Sequence, residues 1–448
     1  KNKLQTVLIL NERENKLSTN VQIWYNFVLQ QMAAESYLDQ STLFGGARNP
    51  KDVLMLGSNN PEYLQNNNLP LPTDDILKGA TRMTATQAED FLNRYEIISH
   101  LPNTASGFSG TLMRERATGA YTIAFRSTEY FNANQGGDWE RDGLPGADGE
   151  ILLKGFALGQ IASMETYYEH LQRGESYDAT SGQWVNDPAL ADFKSKFGAG
   201  GTGGALNVSG YSLSGNLASV FTALHPEVSQ TYVYNATGLG NIGQGDLQAM
   251  VTDLRARLAA AGINVSDPSN ANLYTPNSQA DLPTAYQLIT TGIQLNYNTS
   301  YNVTGSSSLA ESRITQLNGQ GAHNDSQIVS NTGIHVPVAR IFIEDQPDVQ
   351  NWVFFGQNSD FATTHSITLL IDSLAVMRVF EKLGLDVSTS QGLEAAYDML
   401  AAGTNERATG LIGTNGVAER DSLETIVSGL HKLLVGRDVA LISDPGVA

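Results

Sequence analysis

The stretch that most constrains how this chain can fold is residues 205–225, ALNVSGYSLSGNLASVFTALH. Leu206 and Val208 sit in an apolar run with β-branched character that reads as a buried strand, and Leu217, Phe221 and Leu224 recur at helical spacing. Between the two lies a tight Gly/Ser turn, Gly210–Gly215. Strand, sharp turn and helix with a serine at the apex is the geometry of a nucleophile elbow, which lifts the Ser212 hydroxyl off the end of a sheet. Gly210 before it, and Ser214 and Gly215 after it, are small enough for strand and helix to approach closely. The next backbone N–H, on Leu213, falls at the helix N-terminus, where it is placed to stabilise an oxyanion. The usual G-x-S-x-G pattern is altered: Ser214 stands in place of the last glycine, which shifts to Gly215.

The chain has room for the sheet such an elbow needs. Its 448 residues are 41% hydrophobic and 16% charged, a balance that suits a folded globular protein rather than a disordered one. Lys+Arg 27 against Asp+Glu 46 gives a net charge of -19, which argues against nucleic acid as a partner because phosphate binding needs clustered cations. No apolar run approaches the roughly 18 residues a membrane span requires. The first twenty residues hold only the short core TVLIL, broken by NEREN, so no secretory signal peptide is expected. Cysteine is absent, which excludes disulfides, thiolate metal sites and a cysteine nucleophile. An acidic, glycine-rich chain of this kind fits the cytoplasm, or export by a route that reads a C-terminal signal.

Taken in order, residues 20–40 carry apolar side chains at helical spacing, with Glu35 and Asp39 read as solvated. After an Asn/Pro loop (Asn59–Asp75) comes a second helix, MTATQAEDFLNRY, with Thr84 as N-cap and capping-box spacing to Gln87. Residues 1–100 are therefore expected to form a helical layer. Alternating runs over 107–114 and 120–126 flank the turn ATGA and predict a hairpin. GGDWERDGLPGADGE then reads as an acidic loop, KGFALGQIASMETYYEHL as a helix, and Gly174–Asp187 as a polar stretch before the elbow strand. Strands are expected again in QTYVYNATGLG, SRITQLNG and VPVARIFIE, and a helix, SITLLIDSLAVMRVFEKLG, follows His365. The expected architecture is an α/β-hydrolase-like, mostly parallel sheet over 101–387 with helical N- and C-terminal extensions, the latter over 388–448. An insertion at 242–300 breaks the sheet rhythm. It holds two segments with apolar faces (Leu247, Met250, Leu254 and Leu258; Tyr286, Ile289 and Ile293), and 283–295 is the expected lid.

Ser212 needs a base and an acid. His225 closes the elbow's own helix at the wrong end, and His100 and His170 precede the nucleophile. In the order Ser, acid, His along successive strands, His365 fits, since it follows VPVARIFIE and opens the next helix. Asp325, after SRITQLNG, is favoured as the acid that orients the imidazole; Asp345 is the alternative, and Asp360 a third. Thr128, at the end of AFRST, is the candidate second oxyanion donor, through its N–H and its hydroxyl.

AFRST, DW at 138–139, KGF at 154–156 and GYSLSG resemble, in the same order, the F-R-G-T/S, D-W, H-x-G-F and G-H-S-L-G-G motifs of class 3 lipases. SGFSGTLMRERATGAYTIAFRSTEY, and FIEDQP followed by HSITLLIDSLAV, look closer still to bacterial exported lipases and phospholipases A1 that often carry calcium-binding repeats. The likeness spans roughly residues 105–370. It implies Ser212 as nucleophile, Thr128 as oxyanion residue, Asp325 in the family's strand–Asp–x–Val segment and Asp138 as a structural aspartate. It further implies a secreted, monomeric carboxylic-ester hydrolase meeting a lipid at an interface with no required cofactor. The chain departs from the family at Ser127 for glycine, Tyr211 for histidine and Ser214 for glycine, and it lacks the repeats. Calcium is the one ligand weighed separately. Asp138, Glu140, Asp142 and Gly143 match the first, third, fifth and sixth places of a calcium loop, but Gly149 stands at the twelfth and Glu150 arrives one late. The segment is read as a solvated acidic loop, with Asp138, Asp142 and Asp148 as calcium candidates.

Overall fold

Short β-branched and aromatic runs separated by helices assemble a mixed sheet in the computed structural model. It describes residues 20–36, 49–57, 81–129, 137–154, 156–236, 313–320, 334–337 and 367–393, with a few isolated positions besides. Among these the strands are β1 (Tyr95–Leu101), β2 (Gly110–Glu115), β3 (Tyr121–Phe125), β4 (Glu175–Asp178), β5 (Gln183–Asn186), β6 (Leu206–Tyr211), β7 (Gln230–Tyr234), β8 (Ile314–Gln320) and β9 (Ile334–Pro337). β4 and β5 pair as a separate hairpin, and the other seven form one sheet in the order β1-β2-β3-β6-β7-β8-β9. β1–β2 and β2–β3 are antiparallel. From β3 onward every pairing is parallel. The elbow strand β6 therefore occupies the middle of the sheet, where both of its faces must be covered.

The helices supply that cover. They are α1 (Asn20–Glu35), α2 (Pro50–Leu56), α3 (Ala85–Arg94), α4 (Trp139–Asp142), α5 (Ala147–Lys154), α6 (Leu158–Arg173), α7 (Ala191–Phe197), α8 (Leu213–Leu224) and α9 (Ile367–Lys382). Side-chain alternation divides the core in two. Tyr121, Ile123 and Phe125 of β3, Leu206 and Val208 of β6 and Val233 of β7 pack under α6, α7 and α8. Ala124, Tyr211, Tyr232 and Tyr234 point the other way, against α1, α3 and α9. Phe27 of α1 stacks on Tyr232 with centroids 4.0 Å apart, and the Arg378 guanidinium of α9 lies 4.0 Å above the Tyr25 ring of α1. The capping box on α3 forms as its spacing requires: the Gln87 N–H donates to Thr84 Oγ1, and the Thr84 N–H donates to Gln87 Oε1.

Several elements differ from the sequence expectation. The helical pattern of MTATQAEDFLNRY stops at Arg94, and YEIISHL pairs with β2 as an edge strand of the sheet. Ile97 and Ile98 favour extended backbone, and a ladder partner in β2 outweighs the helical phase carried over from α3. The segment read as a solvated acidic loop contains α4 and α5, with Asp138 and Asp142 fully buried. The polar stretch 174–187 is the β4–β5 hairpin, whose Trp184 and Tyr177 lie against the core. Glu35 is buried at 3% exposure rather than solvated. No described helix is long and apolar enough to cross a membrane.

Candidate active site

Ser212 stands at the turn between β6 and α8 with φ 51 and ψ -120. That pairing lies outside the ordinary left-handed basin, and a non-glycine residue held there costs about 1–3 kcal/mol. The surroundings enforce it. The Ser212 N–H donates to the Tyr234 carbonyl of β7 (3.0 Å), and its own carbonyl accepts from the Gly215 N–H (3.0 Å). A Cβ on Gly210 would collide with the Ser214 carbonyl and lie 2.9 Å from the Ala218 methyl; one on Gly215 would collide with Ala236. Ser214 works where a glycine was expected because its hydroxyl folds back on the turn. It accepts from the Tyr211 N–H (2.7 Å) and donates to the Tyr211 carbonyl (2.9 Å). Ser212 is buried at 5% exposure, and Leu213 behind it opens α8, where the first N–H groups have no intrahelical acceptor.

The second candidate oxyanion donor leaves the sheet one strand away. Phe125 of β3 is paired with Gly210 of β6, so residues 126–129 emerge beside the elbow at the same end of the sheet. This segment is tied to the end of α1, to α4 and to α5. The buried Arg126 guanidinium donates to Glu129 (2.9 Å) and to the Ser36 carbonyl (2.6 Å). Ser127 donates through N–H and hydroxyl to Glu35. The Thr128 hydroxyl donates to Asp148 on α5 (3.1 Å), and the Glu129 N–H to Asp142 (3.1 Å). With its hydroxyl directed to Asp148, Thr128 retains the backbone N–H as a donor.

These carboxyls are held in little water, and that dominates their acidity. Burial lifts Glu35 to about 7, with hydrogen bonds from Ser127 and Gln31 and the charge of Arg126 pulling back. Burial also lifts Asp148 to about 7, opposed by the Thr128 hydroxyl, and Asp138 to about 6, opposed by Arg141. Asp142 rises well above the usual carboxylate range through burial and through Glu129 and Asp138 nearby.

Among the described residues, no group of three or more acidic or histidine side chains is arranged to hold a metal ion. Among the calcium candidates, Asp138 pairs with Arg141, Asp142 takes donors from Gln160 and Glu129, and Asp148 takes the Thr128 hydroxyl. The three histidines set aside on sequence are engaged elsewhere: His100 with Thr111 (2.9 Å), His170 with Glu175 (2.6 Å), and His225 with Glu165 (3.0 Å) and Glu227 (3.2 Å). His365, Asp325, Asp345, Asp360 and the segment 283–295 lie outside the described residues. Sequence reasoning missed Glu35 and Gln31. The available signal was phase: Val28, Met32 and Glu35 continue one stripe along α1, with Gln31 beside it.

A sharp β–α turn with a strained serine, next to a braced loop carrying a backbone donor, defines the chain as an α/β protein with a candidate nucleophile at the end of its sheet. Comparison with protein-family models, curated proteins and solved structures finds no match.

Proposed function

We propose that the chain is a serine hydrolase of the α/β-hydrolase type that cleaves carboxylic esters of lipids, as a triacylglycerol lipase or phospholipase A1. The observation that carries this reading is the backbone of Ser212, φ 51 and ψ -120 at a glycine-packed strand–helix junction. Such strain at a buried serine fits an elbow that presents a nucleophile. Ser212 attacks the acyl carbonyl while His365 takes its proton, with Asp325, or Asp345 in its place, orienting the imidazole. The N–H groups of Thr128 and Leu213 receive the oxyanion, His365 returns the proton to the alcohol that departs, and a water that gives its proton to His365 then releases the fatty acid from the acyl-enzyme. The lipid preference comes from the class 3 lipase likeness, and with it secretion and a monomeric state; the proposal of a lid at 283–295 over the site comes from the apolar faces of the insertion. With a net charge of -19, attachment to a lipid surface rests on apolar contact rather than on attraction to anionic headgroups. The steps require no cofactor, and calcium near Asp138, Asp142 and Asp148 is compatible with them.

The test is covalent labelling with a serine-directed fluorophosphonate together with turnover of a p-nitrophenyl ester. Wild type is expected to label once and Ser212→Ala not at all, with turnover lost and the thermal midpoint retained. A wild-type chain that does not label would instead be a binding protein built on a hydrolase-like scaffold. Turnover that survives in Ser212→Ala would remove Ser212 as nucleophile.

A further inference from the structure

Helix α1 carries polar side chains into the sheet's interior where an apolar stripe would otherwise continue. Gln31 is fully buried, and its amide is satisfied on every side. Its Nε2 donates to the Phe125 carbonyl at the end of β3 (2.7 Å) and to Glu35 (2.7 Å), and its Oε1 accepts from the Ser209 hydroxyl of β6 (2.6 Å). Glu35, one turn on, accepts the Ser127 hydroxyl at 2.7 Å and the Ser127 N–H at 3.1 and 3.2 Å from its two oxygens. An unbroken chain of bonds thus runs from Ser209, three residues before Ser212, through Gln31 and Glu35 to Ser127, the residue before Thr128. All four side chains are buried. A carboxylate taken out of water is costly, and one anchored by several donors specifies a single arrangement of the groups it binds.

We propose that Glu35 is a positioning residue for acyl transfer: it fixes the Ser127 backbone, and so the Thr128 N–H, in register with the elbow that carries Ser212. Helix α1 is then a working part of the site rather than an outer layer. The inference rests on the hydrolase reading above and adds to it a residue that neither the elbow nor the class 3 motifs contain. Positioning of this kind acts on the transition state, so its loss slows the chemical step and leaves ester binding nearly unchanged.

The experiment measures fluorophosphonate labelling of Ser212 as two separate quantities, the fraction of chains that finally label and the rate constant per labelled site. These are compared with kcat and KM on a p-nitrophenyl ester for wild type, Glu35→Gln and Glu35→Ala. Glu35→Gln keeps an acceptor oxygen and is expected to slow both kcat and the per-site rate about tenfold; Glu35→Ala should slow them about a hundredfold, with KM within about twofold of wild type. A Glu35 that only holds the fold would lower the labelled fraction and the thermal midpoint and leave the per-site rate unchanged. That result overturns the inference while the hydrolase reading stands. If Glu35→Ala does not fold, Ser127→Ala removes the 2.7 Å bond and keeps the backbone ones. It should slow the per-site rate several-fold, and an unchanged rate again overturns the inference. A wild-type chain that never labels overturns both readings together.

Discussion

At the scale of single residues, the elbow works because three small side chains let two elements touch. Gly210 cannot carry a Cβ without striking the Ser214 carbonyl, a backbone atom that cannot swing away. Gly210→Ala is expected to cost about 3 kcal/mol, at the upper end for overpacking, read as a lower urea midpoint at unchanged slope. A midpoint equal to wild type would mean that β6 and α8 sit farther apart than described. The departure at Ser214, which weakened the motif on paper, proves a fitted replacement. Its hydroxyl closes both polar groups of Tyr211, a role that glycine cannot fill. Glu35 teaches the reverse. A glutamate near a helix end reads as solvated from type alone, and only its neighbours reveal the Ser127 donors that draw it inward.

At the scale of elements, the end of α8 away from Ser212 is held by a cation from the next strand but one. Arg313, just ahead of β8, donates to the carbonyls of Thr222 (2.8 Å), His225 (3.2 Å) and Val228 (2.6 Å), which are the last turn of the helix and the turn into β7. Positive charge at a helix C-terminus is favourable, and charge-assisted bonds are the stronger ones. Arg313→Leu should therefore lower stability by about 2–3 kcal/mol, while the per-site labelling rate of Ser212 stays at the wild-type value. A labelling rate that falls with the stability would show the two ends of α8 to be coupled. β1 shows how elements compete. The α3 pattern runs on into Tyr95, but residues 95–101 find a ladder on β2, and pairing outweighs local preference.

At the scale of the molecule, buried protons shape stability. Glu35 and Asp148, raised to about 7, and Asp138, raised to about 6, bind protons more tightly folded than unfolded. His225 does the same: burial works against its charge, but Glu165 and Glu227 outweigh that and bring it to about 10. Its contribution is complete below the ordinary imidazole value of 6.5 and is lost as pH climbs through about 10. For the carboxyls, stability declines as pH rises from about 4 to about 7. Glu227 runs the other way. Burial raises it, but the His225 bonds prevail and hold it at about 2, so its contribution is lost as pH falls from 4.5 toward 2. The thermal midpoint should thus peak at about pH 4, where the two sets cross, and fall from there toward pH 9. A midpoint that climbs steadily from pH 5 to pH 9 would contradict the buried carboxyls described here. The fall in net negative charge on acidification, from -19 at pH 7, acts in the same direction.

What the sequence alone determined is local and periodic. The buried strand and helix around Ser212, the hairpin of β2 and β3, the capping box of α3 and the long helix α9 all follow from apolar phase, β-branching and turn chemistry within a dozen residues. The strands QTYVY and SRITQLNG were legible for the same reason, and the order of strands and helices already implied a mostly parallel sheet. Only the tertiary structure decided which polar groups turn inward. Whether Glu35 faces water depends on partners far along the chain: Ser127 lies 92 residues from Glu35, and Ser209 lies 178 from Gln31. A carboxylate is soluble by type and buried by its donors, and those donors meet it only when the sheet has brought its strands together.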